Sequence, residues 1–108
     1  MGIDELIKSY RGTGVREWID HEGFDALYVR VCKRYINNEH IEVIDLANLS
    51  AKDPGNGAFK ALVKYLRDKY PEFIIHVESV LTKRFSDGLL RMGFVPTHLP
   101  GCFYLPKV

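Results

Sequence analysis

Residues 41–60 read IEVIDLANLSAKDPGNGAFK, and the parsing of this stretch decides the fold. Ile41 and Val43 share one parity, and Ile44 and Leu46 share the other. A strand that is apolar on both parities is covered on both faces, or it carries a bulge that switches its register. Either reading makes the strand His40–Leu49 central in a sheet. Lys52-Asp53-Pro54-Gly55-Asn56-Gly57 follows as a glycine-rich turn. A helix then runs from near Asn56 to about Lys69, with Phe59, Leu62, Val63 and Leu66 as its apolar stripe. Lys60, Lys64 and Arg67 lie on its opposite, solvated side, and Pro71 prevents continuation.

On the N-terminal side, Phe24–Ile36 alternates as a strand. Leu27, Val29 and Val31 occupy one face, with Tyr28, Arg30, Cys32 and Arg34 on the other. Asn37-Asn38-Glu39 is a turn. So short a connection makes this strand and the next antiparallel. Further upstream, Ile3, Leu6, Ile7 and Tyr10 fall at helical spacing. Gly12-Thr13-Gly14 ends that helix, and Val15–Glu22 reads as a second short one with Trp18 and Ile19 inward. No strand is therefore expected ahead of the hairpin.

On the C-terminal side, Phe73–Val80 is a third apolar strand. Strand, helix and strand at this spacing imply a right-handed crossover and a parallel pair. Thr82–Met92 is helical through Phe85, Leu89 and Met92, and Gly93 is its C-terminal cap. Phe94–His98 and Cys102–Leu105 are two short strands around Leu99-Pro100-Gly101. The expected fold is α/β, a mixed and mostly antiparallel sheet with one central parallel pair flanked by helices, in a single domain over residues 1–108.

Composition bounds the function. The chain has 108 residues, and 15 Lys and Arg nearly balance 14 Asp and Glu, so no electrostatic case exists for nucleic acid or an anionic membrane. Cys32 and Cys102 fit no redox or metal spacing, which points to a reduced, cytoplasmic setting. Residues 1–5 show neither a basic nor an apolar leader segment, and no apolar run is long enough to span a membrane. His21, His40 and His98 have no ligand spacing, so no metal is expected.

The glycine turn is the segment that can carry chemistry. Such a turn at a helix N-terminus presents unpaired N–H groups, and the helix dipole adds partial positive charge, so phosphates bind there without a basic side chain. Gly55 and Gly57 allow close backbone approach. The turn is not a P-loop or a dinucleotide fingerprint, because GxxxxGK[ST] and GxGxxG are both absent. Arg11-Gly12-Thr13-Gly14 is similar in composition but follows no strand. A turn that binds nothing is equally compatible with these residues alone.

Residues 41–94 resemble the GNAT superfamily of acetyl-CoA-dependent N-acyltransferases. That family has a bulged strand, a Q/R-x-x-G-x-G/A loop entering a helix, a parallel strand, and a helix ending in Gly-Phe. The corresponding parts here are the strand to Leu49, Lys52–Gly57, Phe73–Val80 and Gly93-Phe94. The resemblance implies acetyl-CoA as co-substrate, with its pyrophosphate on the N–H groups of Gly55, Asn56, Gly57, Ala58 and Phe59 beside Lys52. Pantetheine would lie along Leu46, Ala47, Asn48 and Leu49, between the two parallel strands. It also implies direct attack by an amine of a small molecule or a protein.

An attacking amine must first lose a proton, since a free lysine with pKa near 10.4 is neutral only about a few times in ten thousand at pH 7. Glu42 is the first candidate base, matching in position the glutamate of the histone-acetylating branch within one residue. Glu78 is second and Asp45 third. His76 lies on the strand beside the cleft and reads more simply as a structural histidine. The family often has a tyrosine acid where Leu89 stands, and Tyr104 is the candidate replacement. Lys52 in place of Gln or Arg, Pro54, Leu89 and the short N-terminal region depart from the family. They keep open an alternative, a GNAT-like binding or regulatory module that holds CoA without catalysis. A sheet edge left bare by the missing strands would favour a homodimer.

Overall fold

The computed structural model describes residues 1–107. Its elements are α1 (Ile3–Ser9), β1 (Val15–Trp18), β2 (Phe24–Ile36), β3 (Glu39–Ala51), α2 (Ala58–Lys69), β4 (Ile74–Val77), α3 (Lys83–Arg91), β5 (Val95–Pro96) and β6 (Phe103–Leu105). They form one six-stranded sheet in the order β1-β2-β3-β4-β6-β5. Among the described residues only β3 and β4 run parallel. The chain is thus α/β with a mixed, mostly antiparallel sheet, as the residue pattern implies.

All three helices lie on one face, and none covers the other. Leu62, Val63 and Leu66 of α2 and Leu89 of α3 join Leu27, Val29, Val31, Ile44, Leu46, Ile75 and Val77 in one buried cluster. Each such side chain contributes about 1.5–3 kcal/mol by leaving water. The Phe59 and Phe85 rings meet edge to face at 5.2 Å and join α2 to α3. The hydroxyls of Tyr65 in α2 and of Tyr70, its C-cap, both donate to Asp4, which joins α2 to α1. Burial, with the Asp4 carboxylate after it, pushes the Tyr70 hydroxyl up to about 12.

The hairpin between β2 and β3 turns at Asn37 and Asn38, both with positive φ of 51° and 65°. Two left-handed residues in a two-residue loop make the turn whose twist matches the strands it joins, and asparagine tolerates that conformation best after glycine.

One expectation fails at the N-terminus. Val15–Trp18 is not helical. It is an edge strand, paired antiparallel to β2 from Val15 opposite Val31 to Trp18 opposite Tyr28. Three of its four residues are exposed, so no alternating apolar pattern marks it. The strand missing from the sequence reading is therefore present, and β2 is not an edge. A two-fold antiparallel pairing of this edge with a second copy places residues of equal parity opposite one another. Centred on Arg16 or Glu17, it would set like charges face to face, which disfavours pairing there.

β3 is apolar on both parities up to Leu46 because both faces are covered there, with Val43 packed against Ile36 and Ile74 on the face without helices, and a bulge follows. Asn48 pairs with Tyr28 and Leu46 with Val29, which leaves Ala47 without a partner on β2. The parity switches across it. Ile44 and Leu46 face the helices before the bulge, and Leu49 and Ala51 pack against the same cluster after it.

Candidate functional site

β3 and β4 are paired from Val43–Ile74 to Leu46–Val77, and then they separate. Glu78 N–H donating to Leu46 O at 3.3 Å is the last hydrogen bond between them. The cause lies in the next residues. Ser79 has φ 61°, an uncommon conformation for a residue with a side chain. Val80 N–H then donates to Gly101 O at 3.1 Å, which draws the chain toward the β5–β6 turn and away from β3. Gly101 has φ 75°, and a Cβ there would lie 3.2 Å from Val80 O, so the approach depends on glycine. On its other side β3 stays paired with β2 as far as Ala51. Residues 47–51 therefore have a strand on one side only, and the bulge sits at the vertex.

Beyond Ala51 the chain enters the glycine turn. Lys52 N–H donates to Gly23 O, and Asn56 N–H donates to Asp53 O at 3.2 Å. Gly55 and Gly57 have φ near +90°, with open space where a Cβ would stand. Gly57 caps α2 without a side-chain bond, and the first helical hydrogen bond is Ala61 N–H to Gly57 O. The amides of Gly57, Ala58, Phe59 and Lys60 find no protein acceptor among the described residues. Four bare donors at the positive end of a twelve-residue helix favour an anion. The hollow on the α1 side of this turn is lined by Asp4, Asp20 and Glu22, so an anion would approach from the Lys60 side.

The helix-free face of the sheet carries a group of charges at the same vertex. In register across β1, β2, β3, β4 and β6 stand Arg16, Arg30, Asp45, His76 and Tyr104. Asp45 is 0 % exposed and His76 is 2 % exposed. Asp45 Oδ1 lies 2.9 Å from His76 Nδ1. Arg34 Nη2 donates to Asp45 Oδ2 at 2.6 Å and to Glu78 Oε2 at 2.5 Å. Arg30 Nη1 lies 3.2 Å from Glu78 Oε1. Burial works against a charge on Asp45, but the His76 ring and Arg34 outweigh it and hold the carboxyl below its ordinary range.

Asp45, His76 and Glu78 converge closely enough to hold a cation. Arg34 Nη2 already bridges the two carboxylates, so the cation they hold is a guanidinium. Cys32 and Cys102 lie within electrostatic reach of the cluster. Burial pushes both thiols up, and for Cys102 the Glu78 carboxylate adds to it. Neither is therefore poised as a thiolate nucleophile at neutral pH.

The structure thus brings together some of the expected residues and separates others. Leu46, Ala47, Asn48 and Leu49 span the bulge, and Lys52, Gly55, Asn56, Gly57, Ala58 and Phe59 form the turn beyond it. Glu78 stands at the vertex with its side chain 15 % exposed. Glu42 is exposed, pairs with Lys33 near the hairpin, and lies four residues, about 13 Å, before Leu46. The Tyr104 hydroxyl accepts from Asn37 Nδ2 at 2.9 Å, which ties it to the hairpin end rather than to the turn. Leu89 is fully buried in the core, so no proton donor replaces it there. Arg30, Arg34 and the Asp45–His76 pair escaped the sequence reading. Their partners lie 11 to 48 residues away, and no local spacing encodes them.

No family model, no curated protein and no solved structure matches the chain.

Proposed function

We propose that the chain is a small GNAT-like acyltransferase that moves an acetyl group from acetyl-CoA to an amine. One observation carries this reading. The one parallel pair among the described residues, β3 with β4, opens at a bulge directly ahead of a helix whose first amides are bare. A diphosphate meets those amides at Gly57–Lys60. An extended pantetheine takes hydrogen bonds from the unpartnered side of residues 47–51. The thioester then arrives at the Leu46–Glu78 vertex, where a backbone N–H left unpaired by the bulge polarises its carbonyl.

At the vertex Glu78 is the nearest carboxylate, and it replaces Glu42 as the preferred base. Arg34 fixes its orientation, and the buried Asp45–His76 pair fixes Arg34. These three are positioning residues. Both cysteines stay protonated, which favours direct attack over a covalent enzyme intermediate. The leaving thiol has an ordinary pKa near 8.5, so a thiolate departs at neutral pH without strong acid help. Leu89 favours the second reading, a module that holds CoA and does not turn it over.

The test is thermal unfolding with and without acetyl-CoA. Saturation at a hundred times the dissociation constant should stabilise the fold by about 2.7 kcal/mol. Asn56 is exposed at the turn, so Asn56→Glu places a carboxylate beside the bare amides. That carboxylate helps the helix dipole by about 0.3–1 kcal/mol yet repels a diphosphate. The variant should melt no lower than the parent and bind acetyl-CoA about tenfold more weakly, a loss near 1.4 kcal/mol. No stabilisation of the parent at millimolar acetyl-CoA would overturn both readings. Stabilisation without thiol release toward any amine selects the second.

A further inference from the structure

We propose that the acceptor is an amine that also bears a carboxylate, an amino acid, which inserts between Arg30 and Glu78. The inference rests on reading the vertex as an acyl-transfer site, and it names what that site acetylates. Within the cluster the charges fall into a deep pair and a rim pair. Arg34 and Asp45 are the deep one, with side chains 24 % and 0 % exposed. Arg30 and Glu78 form the rim, at 38 % and 15 %.

The rim pair is the loose one. Its closest N–O distance is 3.2 Å, against 2.5–2.6 Å for Arg34 with its two carboxylates. Arg30 makes no hydrogen bond with good geometry, and its buried Nε finds no acceptor. A guanidinium has five donors in a planar fork that matches a carboxylate two at a time. Arg30 is therefore a cation with most of its bonding capacity unspent, two register positions from the bulge. Arg16 lies beside it on the edge strand and adds further positive charge to that side. Glu78 supplies the opposite charge on the side of the vertex.

A plus charge and a minus charge separated by one loose contact are complementary to a zwitterion. The acceptor carboxylate takes the Arg30 fork, and its ammonium replaces Arg30 at Glu78 Oε1. One ion pair is exchanged for two, and the oxygen that must accept a proton is released from the arginine. The ammonium then gives one proton to Glu78. The freed nitrogen lone pair attacks the thioester carbon, the C–N bond forms and the C–S bond breaks. Of the two protons left on nitrogen, one stays in the amide and one goes to the CoA sulfur. Glu78 returns its proton to solvent. A polyamine lacks the group that displaces Arg30, and two cations would meet.

The probes are the twenty common amino acids and their C-terminal amides, which share the amine and differ in the carboxylate. Turnover is read by thiol release from acetyl-CoA, and binding by thermal shift on CoA-loaded protein. At least one free amino acid should exceed its own amide at least tenfold in kcat/KM or in affinity. Arg30→Gln should erase that ratio, and Arg30→Lys should restore part of it. In both variants the stabilisation by acetyl-CoA alone should persist, which shows that they fold and keep the coenzyme site. Equal use of acid and amide, preference for the amide, or a ratio that survives Arg30→Gln overturns the proposal. So does acetyl-CoA binding with no response to any acid or amide. Absence of acetyl-CoA binding is a different result, and it overturns the transferase reading itself.

Discussion

Asp45→Ala should cost about 3–5 kcal/mol, because it leaves a half-buried guanidinium and a buried imidazole without the carboxylate they share. A domain of this kind has only about 5–15 kcal/mol in total, so the variant would be near the limit of folding. Asp45 is 0 % exposed, and it accepts from Arg34 at 2.6 Å while lying 2.9 Å from His76. The loss should spread to Glu78, which shares Arg34 Nη2 with Asp45. Because His76 and Arg34 hold the Asp45 carboxyl below its ordinary value of 3.8, its contribution is full above that value and is lost as pH falls through the lower folded value. Urea unfolding of the parent should therefore weaken as pH falls below about 3.8, and Asp45→Asn should show a flatter acid limb from a lower plateau. Parallel curves for parent and variant would show that the pair contributes little.

Glu78→Gln should lower kcat for amine acetylation by about 100-fold to 10,000-fold, the usual worth of a positioned base. The KM for acetyl-CoA should barely move, since the amides proposed to hold its diphosphate are those of Gly57–Lys60. With no base, turnover draws on the free amine already in solution. Its rate should then rise about tenfold per pH unit below the amine's own pKa. The parent should reach its plateau earlier. The Glu78 carboxylate also balances Arg30 and Arg34, so the variant will melt lower, and rates should be compared well below its Tm. Glu78→Asp separates the two roles, because it keeps the charge and moves the oxygens. A purely structural Glu78 would lower Tm with the pH profile unchanged.

The sequence disclosed the parts whose cause is local. Asn37-Asn38 announces its turn because few residues tolerate positive φ, and Gly93 with φ 94° ends α3 for the same reason. The double parity of Ile41–Leu46 announced a central strand and reflects burial on both faces, with the bulge falling just beyond it at Ala47. Thr82, the expected first residue of this helix, is its N-cap and accepts from Phe85 N–H, so α3 begins one residue later at Lys83. β1 stayed hidden because its residues become a strand only through pairing with β2, and an exposed edge has no apolar face to display. The strand expected over Phe73–Val80 is regular only through Val77, because the left-handed Ser79 redirects the chain. The ionic cluster was invisible for a related reason. Arg34, Asp45 and Glu78 come from different strands, and their meeting is a product of register, not of spacing. An arginine or an aspartate within a strand pattern looks like any surface charge until the neighbouring strand is in place.

The most direct test of the coenzyme site is a titration of CoA into isotopically labelled protein, followed by the backbone amide resonances. The largest changes should fall on Gly57, Ala58, Phe59 and Lys60 and on Ala47–Leu49, with Arg30 and Arg34 little affected until an acceptor is added. Saturating CoA that leaves those seven amides unmoved, or that shifts a different surface, would contradict the assignment.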